Sequence, residues 1–320
     1  VVAVGRYAVI DVGSNTVRLC AYDVPKKKSA RTGKPRKIFD VKESIGLSAF
    51  VEPPAGGFSA DGSRPGVMTQ AGIDAAAKAV KRQVRRAQVV CADQVWVFAT
   101  AALRNCANSD QAVAAVEEES GARVDVLSGE EEARLGLLGA RLAFALDEGV
   151  LIDVGGGSTE VTRLFADGGV KGKSIPMGSL SSYRQFVDCV IPTKAEIERI
   201  GASFRLALEE AELPVRDESD LFGMGGSVRA AARVYGDLCN GGIRSNVLVP
   251  EQVDAIISYC EDAPGPFAHG LLRVCAQRVH TLVPGCAIIR EVFRATGAQR
   301  MTIDKCGVRE GYLLDRISRL

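Results

Sequence analysis

The sequence predicts an α/β protein built from a duplicated unit, and three observations carry that expectation. Short apolar strands alternate with segments of helical periodicity along the whole chain. The stretch Val9-Ile10-Asp11-Val12-Gly13-Ser14-Asn15-Thr16 returns as Leu151-Ile152-Asp153-Val154-Gly155-Gly156-Gly157-Ser158-Thr159. In each copy an apolar strand ends in an aspartate, a turn of small residues follows, and a second strand leaves it. The two aspartates lie 142 residues apart, close to one domain length. Two such openings predict two α/β domains with a cleft between them. The expected spans are 1–128 and 129–306, with a helix over 307–320 completing the first.

In chain order, strands are expected over Tyr7–Tyr22 and Lys37–Glu43. Thr69 can cap a helix over Gln70–Gln88, in which Ile73, Ala76, Ala77, Val80 and Val84 recur at helical spacing. A strand follows at Gln94–Ala99, a helix capped by Ser109 or Asp110 runs to Ser120, and Arg123–Leu127 is a strand. Glu130 to Leu146 reads as a helix with Leu135, Leu138 and Leu142 on one side. The second half begins with strands at Gly149–Asp153, Glu160–Phe165 and Val170–Ile175. Helices are expected near Ser179–Cys189 and Thr193–Glu212. A buried strand, Asp220–Met224, runs into Gly225-Gly226-Ser227 and a helix. Glu251–Tyr259, Leu271–Thr281 and Cys286–Ala295 read as helices, Arg300–Asp304 as a last strand, and Gly307–Leu320 as an amphipathic helix.

Composition narrows the function classes. A length of 320 residues suits two domains, and 47% apolar with 25% charged residues is ordinary for a globular chain. Forty Lys and Arg against 39 Asp and Glu leave a net charge of +1, which argues against a dedicated nucleic-acid or membrane-surface protein. No apolar run is long enough to span a bilayer, and Val1–Ile10 is expected to be a strand rather than an export signal. The nine cysteines show no C-x-x-C spacing and read as small buried hydrophobes in a reducing, cytoplasmic setting. Two histidines, His269 and His280, have no nucleophile signature beside them. The chemistry therefore falls to carboxylates, backbone amides and a metal. Two segments read as irregular surface: Lys26–Lys37, with seven basic residues in twelve, and the Gly/Pro-rich Pro53–Gly66. The first is either a solvated tip or a landing strip for a polyanion. A second cationic cluster, Lys78, Lys81, Arg82, Arg85 and Arg86, lies within one expected helix.

Three glycine-rich turns follow strands: Asp11–Thr16, Asp153–Thr159 and Gly223–Ser227. None is a Walker loop or a G-x-G-x-x-G fingerprint. All three present backbone N–H groups without side-chain bulk, a chemistry that suits phosphate oxygens. The aspartates at the strand ends are placed to hold Mg²⁺, which prefers carboxylate, water and phosphate oxygens.

Six motifs give the chain a resemblance to the exopolyphosphatase/guanosine pentaphosphate phosphohydrolase family, within the superfamily of actin, Hsp70 and sugar kinases. They are Ile10–Arg18, Ala99–Arg104, Leu127–Leu135, Ile152–Glu160, Gly223–Arg229 and Gly307–Gly311, and they arrive in family order. The resemblance implies a duplicated actin-like (ribonuclease H-like) fold with the active site in the interdomain cleft. It makes Glu132, directly before Ala133-Arg134, the catalytic carboxylate that orients and deprotonates a water. Glu130 and Glu131 are expected only to complement a helix N-terminus. By the same resemblance Asp11, Asp153 and Glu160 hold Mg²⁺. Ser14, Asn15 and Gly155, Gly156, Gly157, Ser158 and Thr159 bind phosphate oxygens, and Gly225 and Gly226 line the cleft. Arg104 is either a bidentate phosphate clamp or a surface salt bridge. The chain departs from the family pattern at Ser44-Ile45-Gly46, where an arginine is usual, and at His280, where an acid is usual.

The activity this implies is Mg²⁺-dependent hydrolysis of the terminal phosphoanhydride of inorganic polyphosphate, with release of orthophosphate. Two alternatives stay open: hydrolysis of the 5′-terminal phosphate of guanosine pentaphosphate, a (p)ppGpp-type substrate, and a phosphate or nucleotide sensor without turnover. No nucleic-acid or membrane partner is expected, and a homodimer is left open.

Overall fold

The computed structural model describes residues 4–25, 34–54, 65–144, 146–213, 220–303 and 305–320. The chain divides into two units: Val1–Leu142 with Val308–Leu320, and Ala143–Gly307.

The first unit is organised by a five-stranded sheet. β1 (Val4–Val12), β2 (Thr16–Pro25) and β3 (Arg36–Ser44) form an antiparallel meander in which Asp11 stands opposite Arg18. A small pair, β4 (Val51–Glu52) and β5 (Val67–Met68), lies outside it. α1 (Gln70–Val89) then leads to β6 (Gln94–Ala99), which pairs parallel to β1. α2 (Ala101–Arg104) and α3 (Ser109–Ser120) precede β7 (Val124–Val126), and α4 (Gly129–Ala140) follows it. The sheet order is β3-β2-β1-β6-β7.

Strand alternation sends Ala8, Ile10 and Val12 to one face of this sheet and Val9 to the other. The first set packs with Ile73, Ala76 and Val80 of α1 and Ala112 and Val116 of α3. Val9, Cys20 and Tyr22 pack with Phe98, Leu127, Leu135, Tyr312 and Leu313. Tyr312 and Leu313 belong to the last helix, Val308–Ser318, which lies on α4 and shares this second face. Tyr22 Oη donates to Glu310 at 2.7 Å, and Tyr312 Oη bonds Asp125. The expected boundary at 128/129 is therefore corrected. α4 belongs with the first unit, because its Leu135 fills the core beneath the last helix.

The second unit repeats the plan. β8 (Gly149–Val154), β9 (Thr159–Leu164) and β10 (Val170–Ile175) form a meander with Asp153 opposite Glu160. α5 (Ser179–Phe186) and α6 (Lys194–Glu210) follow, then β11 (Leu221–Met224), parallel to β8. α7 (Gly225–Val234) continues as a π turn over Tyr235–Cys239. β12 (Val247–Leu248), α8 (Pro250–Asp262), α9 (Pro264–Cys275), α10 (Leu282–Thr296) and β13 (Met301–Ile303) complete the unit. The order is β10-β9-β8-β11-β13-β12, so both sheets read as a three-strand meander extended by two parallel strands beyond its first strand, with β12 added antiparallel at the edge of the second. That shared order is the duplicated α/β fold the repeat implies.

Proline chemistry explains where helix limits depart from expectation. Pro264 stands at the first position of α9, where its fixed φ favours initiation, so this helix runs over 264–275 rather than 271–281. Pro284 lies in the first turn of α10, where no N–H bond is lost, so α10 starts at Leu282 rather than at Cys286. α4 ends at Ala140, six residues short of the expected Leu146. The strands of β4, β5 and β12 are two residues each, too short for alternation to reveal. Most of the two irregular segments (residues 26–33 and 55–64) falls outside the described residues. Among the described residues no helix is long and apolar enough to cross a membrane.

Gly311 marks the tightest point of the helix pair: a Cβ there would strike the carbonyl oxygen of Leu135 and approach Gly139 N at 2.9 Å. Gly311→Val should therefore lower the urea midpoint by the equivalent of about 1–3 kcal/mol, the ordinary cost of overpacking. An unchanged midpoint would show that the two backbones can separate freely.

Candidate active site

In each unit the strand order reverses at its first strand, with the meander on one side and the parallel strands on the other. Open α/β sheets hold ligands beyond the carboxyl ends of the strands at such a reversal. Asp11 is the next-to-last residue of β1, and Asp153 is the next-to-last residue of β8. The sequence repeat therefore puts its two aspartates at the two ligand-holding edges.

The turns after these strands close in the same way. Gly13 N–H donates to the Thr16 carbonyl at 3.0 Å, and Gly155 N–H donates to the Ser158 carbonyl at 3.0 Å. Each turn is then fastened by the segment that follows its meander. The Asn15 carbonyl accepts from the N–H groups of Ile45 (3.0 Å) and Gly46 (2.9 Å), and the Ser14 carbonyl from Ser48 (3.1 Å). In the second unit Gly155 O accepts from Ser179 N–H, and Gly156 O from Leu180 and Ser181 N–H, each at 2.9 Å. A trans peptide points its N–H opposite to its C=O. The N–H groups of Gly156 and Gly157 therefore face away from α5, and that of Asn15 faces away from residues 45–48. These outward amides belong to residues that the sequence reading assigned to phosphate oxygens, and their direction is compatible with that role. The close fit needs Gly178, where a Cβ would lie 2.6 Å from the carbonyl carbon of Gly156. The side chains contribute less. Thr159 Oγ1 donates to the Met177 carbonyl at 2.7 Å, and Ser158 and Ser14 are buried.

Asp153 and Glu160 are direct cross-strand partners, so both carboxylates rise from one face at the turn end of β8 and β9. Glu160 is buried and accepts from Ser174 Oγ at 2.7 Å. Gly225 has φ +87°, and a Cβ on it would strike Asp153 Oδ1. A Cβ on Gly307 would come to 4.0 Å from Oδ2. Asp153 is thus flanked by two glycines, one required by both its backbone angle and the carboxylate. Arg278, which the sequence reading missed, packs its guanidinium on Gly226 and donates to Ser227 Oγ at 3.4 Å. Burial pushes its pKa down.

In the first unit the two residues expected to be catalytic meet. Arg104 Nη1 donates to Glu132 Oε2 at 2.8 Å and to the Leu127 carbonyl at 2.8 Å, while its Nε reaches Asn105 Oδ1 at 3.3 Å. Glu132 is only 7% exposed. This is a part-buried pair rather than a surface salt bridge. Its neighbour Glu131 has a separate task in a capping box: Ser128 Oγ accepts from Glu131 N at 3.1 Å and Glu131 Oε2 accepts from Ser128 N at 2.9 Å. The local fold thus fixes the helix start with Glu131 and turns Glu132 inward.

Asp11 has a cation against it. Arg309 Nη1 donates to Asp11 Oδ2 at 2.8 Å. Burial opposes the Arg309 charge, yet Asp11 leads the groups that raise its pKa above the ordinary value. Glu310, next in the chain, accepts from Tyr22 Oη and lies 3.2 Å from Lys37 Nζ. The sequence reading used Arg309 and Glu310 only as part of a motif. Their adjacency on a helix otherwise anchored by Tyr312 and Leu313 was the available signal.

A sequence profile of the Ppx/GppA phosphatase family matches residues 58–320. The chain belongs to this family. Exopolyphosphatase 1 of Mycobacterium leprae (strain TN) is 25% identical over 319 residues, covering 98% of this chain and 89% of that protein. The Exopolyphosphatase 1 of Mycobacterium tuberculosis (strain ATCC 25618 / H37Rv) is also 25% identical, over 98% and 88%. Two solved structures share the fold. An exopolyphosphatase from Cytophaga hutchinsonii superposes with a TM-score of 0.79 at 19% identity, covering 98% of both chains. The Aquifex aeolicus Ppx/GppA family member gives 0.75 at 22%, covering 99% of both.

Whether the residues present suit Mg²⁺ is decided by the donor set. Asp153 and Glu160, opposite one another across the strand pair, offer oxygen alone. Among the described residues no three His, Cys, Asp or Glu side chains form a metal cage. Mg²⁺ is ordinarily held by one or two carboxylates plus substrate oxygens, so the set fits.

Burial raises the Glu310 pKa, but Arg309 first, then Lys37 and the Tyr22 hydroxyl, hold it below its ordinary 4.5. A depressed carboxylate contributes stability above its unfolded value and loses it as the pH falls through the folded one. Glu310→Gln should therefore lower the urea midpoint at neutral pH and flatten its fall below pH 4.5. A variant whose acid limb stays as steep as the parent's would remove Glu310 from that role.

Proposed function

We propose that this protein is an exopolyphosphatase that hydrolyses the terminal phosphoanhydride of inorganic polyphosphate and releases orthophosphate. The observation that carries this reading is the buried Glu132 carboxylate held by Arg104. A binding protein has no use for an inward carboxylate beside a phosphate-seeking site, because it repels the ligand. A hydrolase uses it to take a proton from water. Family membership and the names of the two mycobacterial relatives support the same activity.

Glu132 orients a water in line with the terminal phosphorus and accepts its proton as the new P–O bond forms. The bridging P–O bond breaks, and its electron pair leaves on the shortened polyphosphate. Arg104 holds Glu132 in place in the free protein, and its planar guanidinium also suits the oxygens of the transferred group. The outward amides of Asn15, Gly156 and Gly157 bind phosphate oxygens without reorganising, the most useful kind of donor for a charge-rich transition state. Asp153 and Glu160 are the residues that would hold Mg²⁺ in the second unit, and in the first Asp11 is held by Arg309. When bound, the ion supplies charge neutralisation at the phosphate oxygens. Free thiols at all nine cysteines support a reducing, cytoplasmic location.

Glu132→Gln keeps an oxygen that can accept from Arg104 and removes the basic carboxylate. Turnover of polyphosphate should fall by about 10²–10⁴-fold while polyphosphate binding is retained. Undiminished release of orthophosphate would overturn the mechanism. Orthophosphate release from polyphosphate and from guanosine pentaphosphate at equal enzyme ranks the two substrates, and a preference for the second would replace the polyphosphate reading. Chelation should abolish turnover, and added Mg²⁺ should restore it in the parent but not in Asp153→Asn. Activity that survives chelation would exclude the ion.

A further inference from the structure

We propose that the exposed cationic face of α1 is an exosite that holds the unreacted length of a long polyphosphate chain. The inference rests on the polyphosphate reading above and adds to it where the polymer lies.

The five cations Lys78, Lys81, Arg82, Arg85 and Arg86 recur at helical spacing on one side of α1. Ala76, Ala79, Val80, Gln83 and Ala87 are buried on the other side. No acid interrupts α1 after Asp74. Two carboxylates from neighbouring elements answer the five. Lys81 pairs with Glu119 at 2.7 Å, while Arg82 bonds Glu43 and Arg86 lies 3.6 Å from the same carboxylate. Lys78 and Arg85 form no salt bridge among the described residues. Their field is nevertheless felt: with Lys81's hydrogen bond leading, both help to hold the Glu119 pKa below its ordinary value. The chain as a whole is neutral, so this local excess is a patterned feature.

The direction of the ridge is what ties it to the site. Ser14 O accepts from Ser48 N–H, Phe50 O accepts from Thr69 N–H at 2.8 Å, and a Cβ on Gly72 would strike Phe50. The first turn of α1 is thus joined through residues 48–50 to the turn that carries Ser14. At its far end Val90 O accepts from Arg6 Nη1 at 2.9 Å, beside the start of β1. α1 therefore leads away from the phosphate-seeking turn, and its cations begin with Lys78, about 12 Å along it, and continue for about 12 Å more. A linear polyanion whose end occupies the Ser14 turn meets successive positive charges along that path. A substrate of three phosphates is too short to engage them.

The double variant Lys78→Gln/Arg85→Gln removes the two cations that form no salt bridge among the described residues, so Glu119 keeps Lys81 and Glu43 keeps Arg82. The measurements are equilibrium binding of polyphosphate of on the order of 100 phosphates against salt, and hydrolysis of tripolyphosphate. The plot of log affinity against log salt should become shallower by about 1.5, at 0.7–0.9 per lost contact, with tripolyphosphate kcat/KM unchanged. Lys78→Glu/Arg85→Glu should deepen the loss for the long polymer alone. An unchanged slope, or an equal loss for tripolyphosphate, would overturn the exosite. Tighter binding of duplex DNA than of polyphosphate to the same ridge would overturn its assignment to this substrate. If the parent protein binds long polyphosphate through α1 but hydrolyses only guanosine pentaphosphate, the proposed function fails and the ridge stands.

Discussion

Two turns in this protein depend on where their carbonyl oxygens go. A peptide cannot direct its N–H outward unless its oxygen is satisfied behind it. Here Ser14 and Asn15 are satisfied by residues 45–48, and Gly155 and Gly156 by the opening of α5. Much of the surrounding structure serves that arrangement. The meanders bring the third strand back so that the next segment can reach the turn. Gly178 is a glycine because the approach is too close for a side chain. The two units solve one problem with the same construction, which is why the sequence repeat survives as a repeat of hydrogen bonds.

The units then diverge in what stands beside each aspartate. In the second, the residue opposite Asp153 is Glu160, and glycines flank the carboxylate, a setting for a cation and phosphate. In the first, the residue opposite Asp11 is Arg18, and Arg309 holds Asp11 directly. Arg18 itself is gripped by Asp40 through two bonds of 2.7 Å. The first copy sets arginines beside its aspartate, and the second sets a glutamate across from its own. The two sheet ends share one construction and differ at the matching cross-strand position, Arg18 in the first and Glu160 in the second.

The α/β class, the repeat and the turns with their aspartates were legible in the sequence, because each rests on local rules: apolar runs, small residues at turns, and a recurring order. Glu131 and Glu132 show the limit of that reading. Both are acids in the first turn of one helix, and only the resemblance separated them. The structure separates them by direction, one into a capping box and one inward to Arg104. Arg309, Arg278 and Ser174 were not legible as site residues, since each meets its partner across a long stretch of chain and leaves no periodic trace. The boundary at 128 was misread for a related reason. Nothing local announces that Leu135 and Tyr312 share a core.

The last helix has a consequence for how the chain is made. The first unit is discontinuous: its sheet is synthesised early, but residues 308–320 emerge only after all of 143–307. The second unit is a single uninterrupted stretch that has its own hydrophobic core. On a ribosome, where domains fold as they emerge, the later half can reach its native packing while the earlier half still waits for its final piece. During that wait Asp11 lacks Arg309 and Tyr22 lacks Glu310, so an unfinished chain exposes an open apolar sheet face and an unanswered acid. Emergence of residues 308–320, rather than of the first aspartate turn, is the event that completes the first unit.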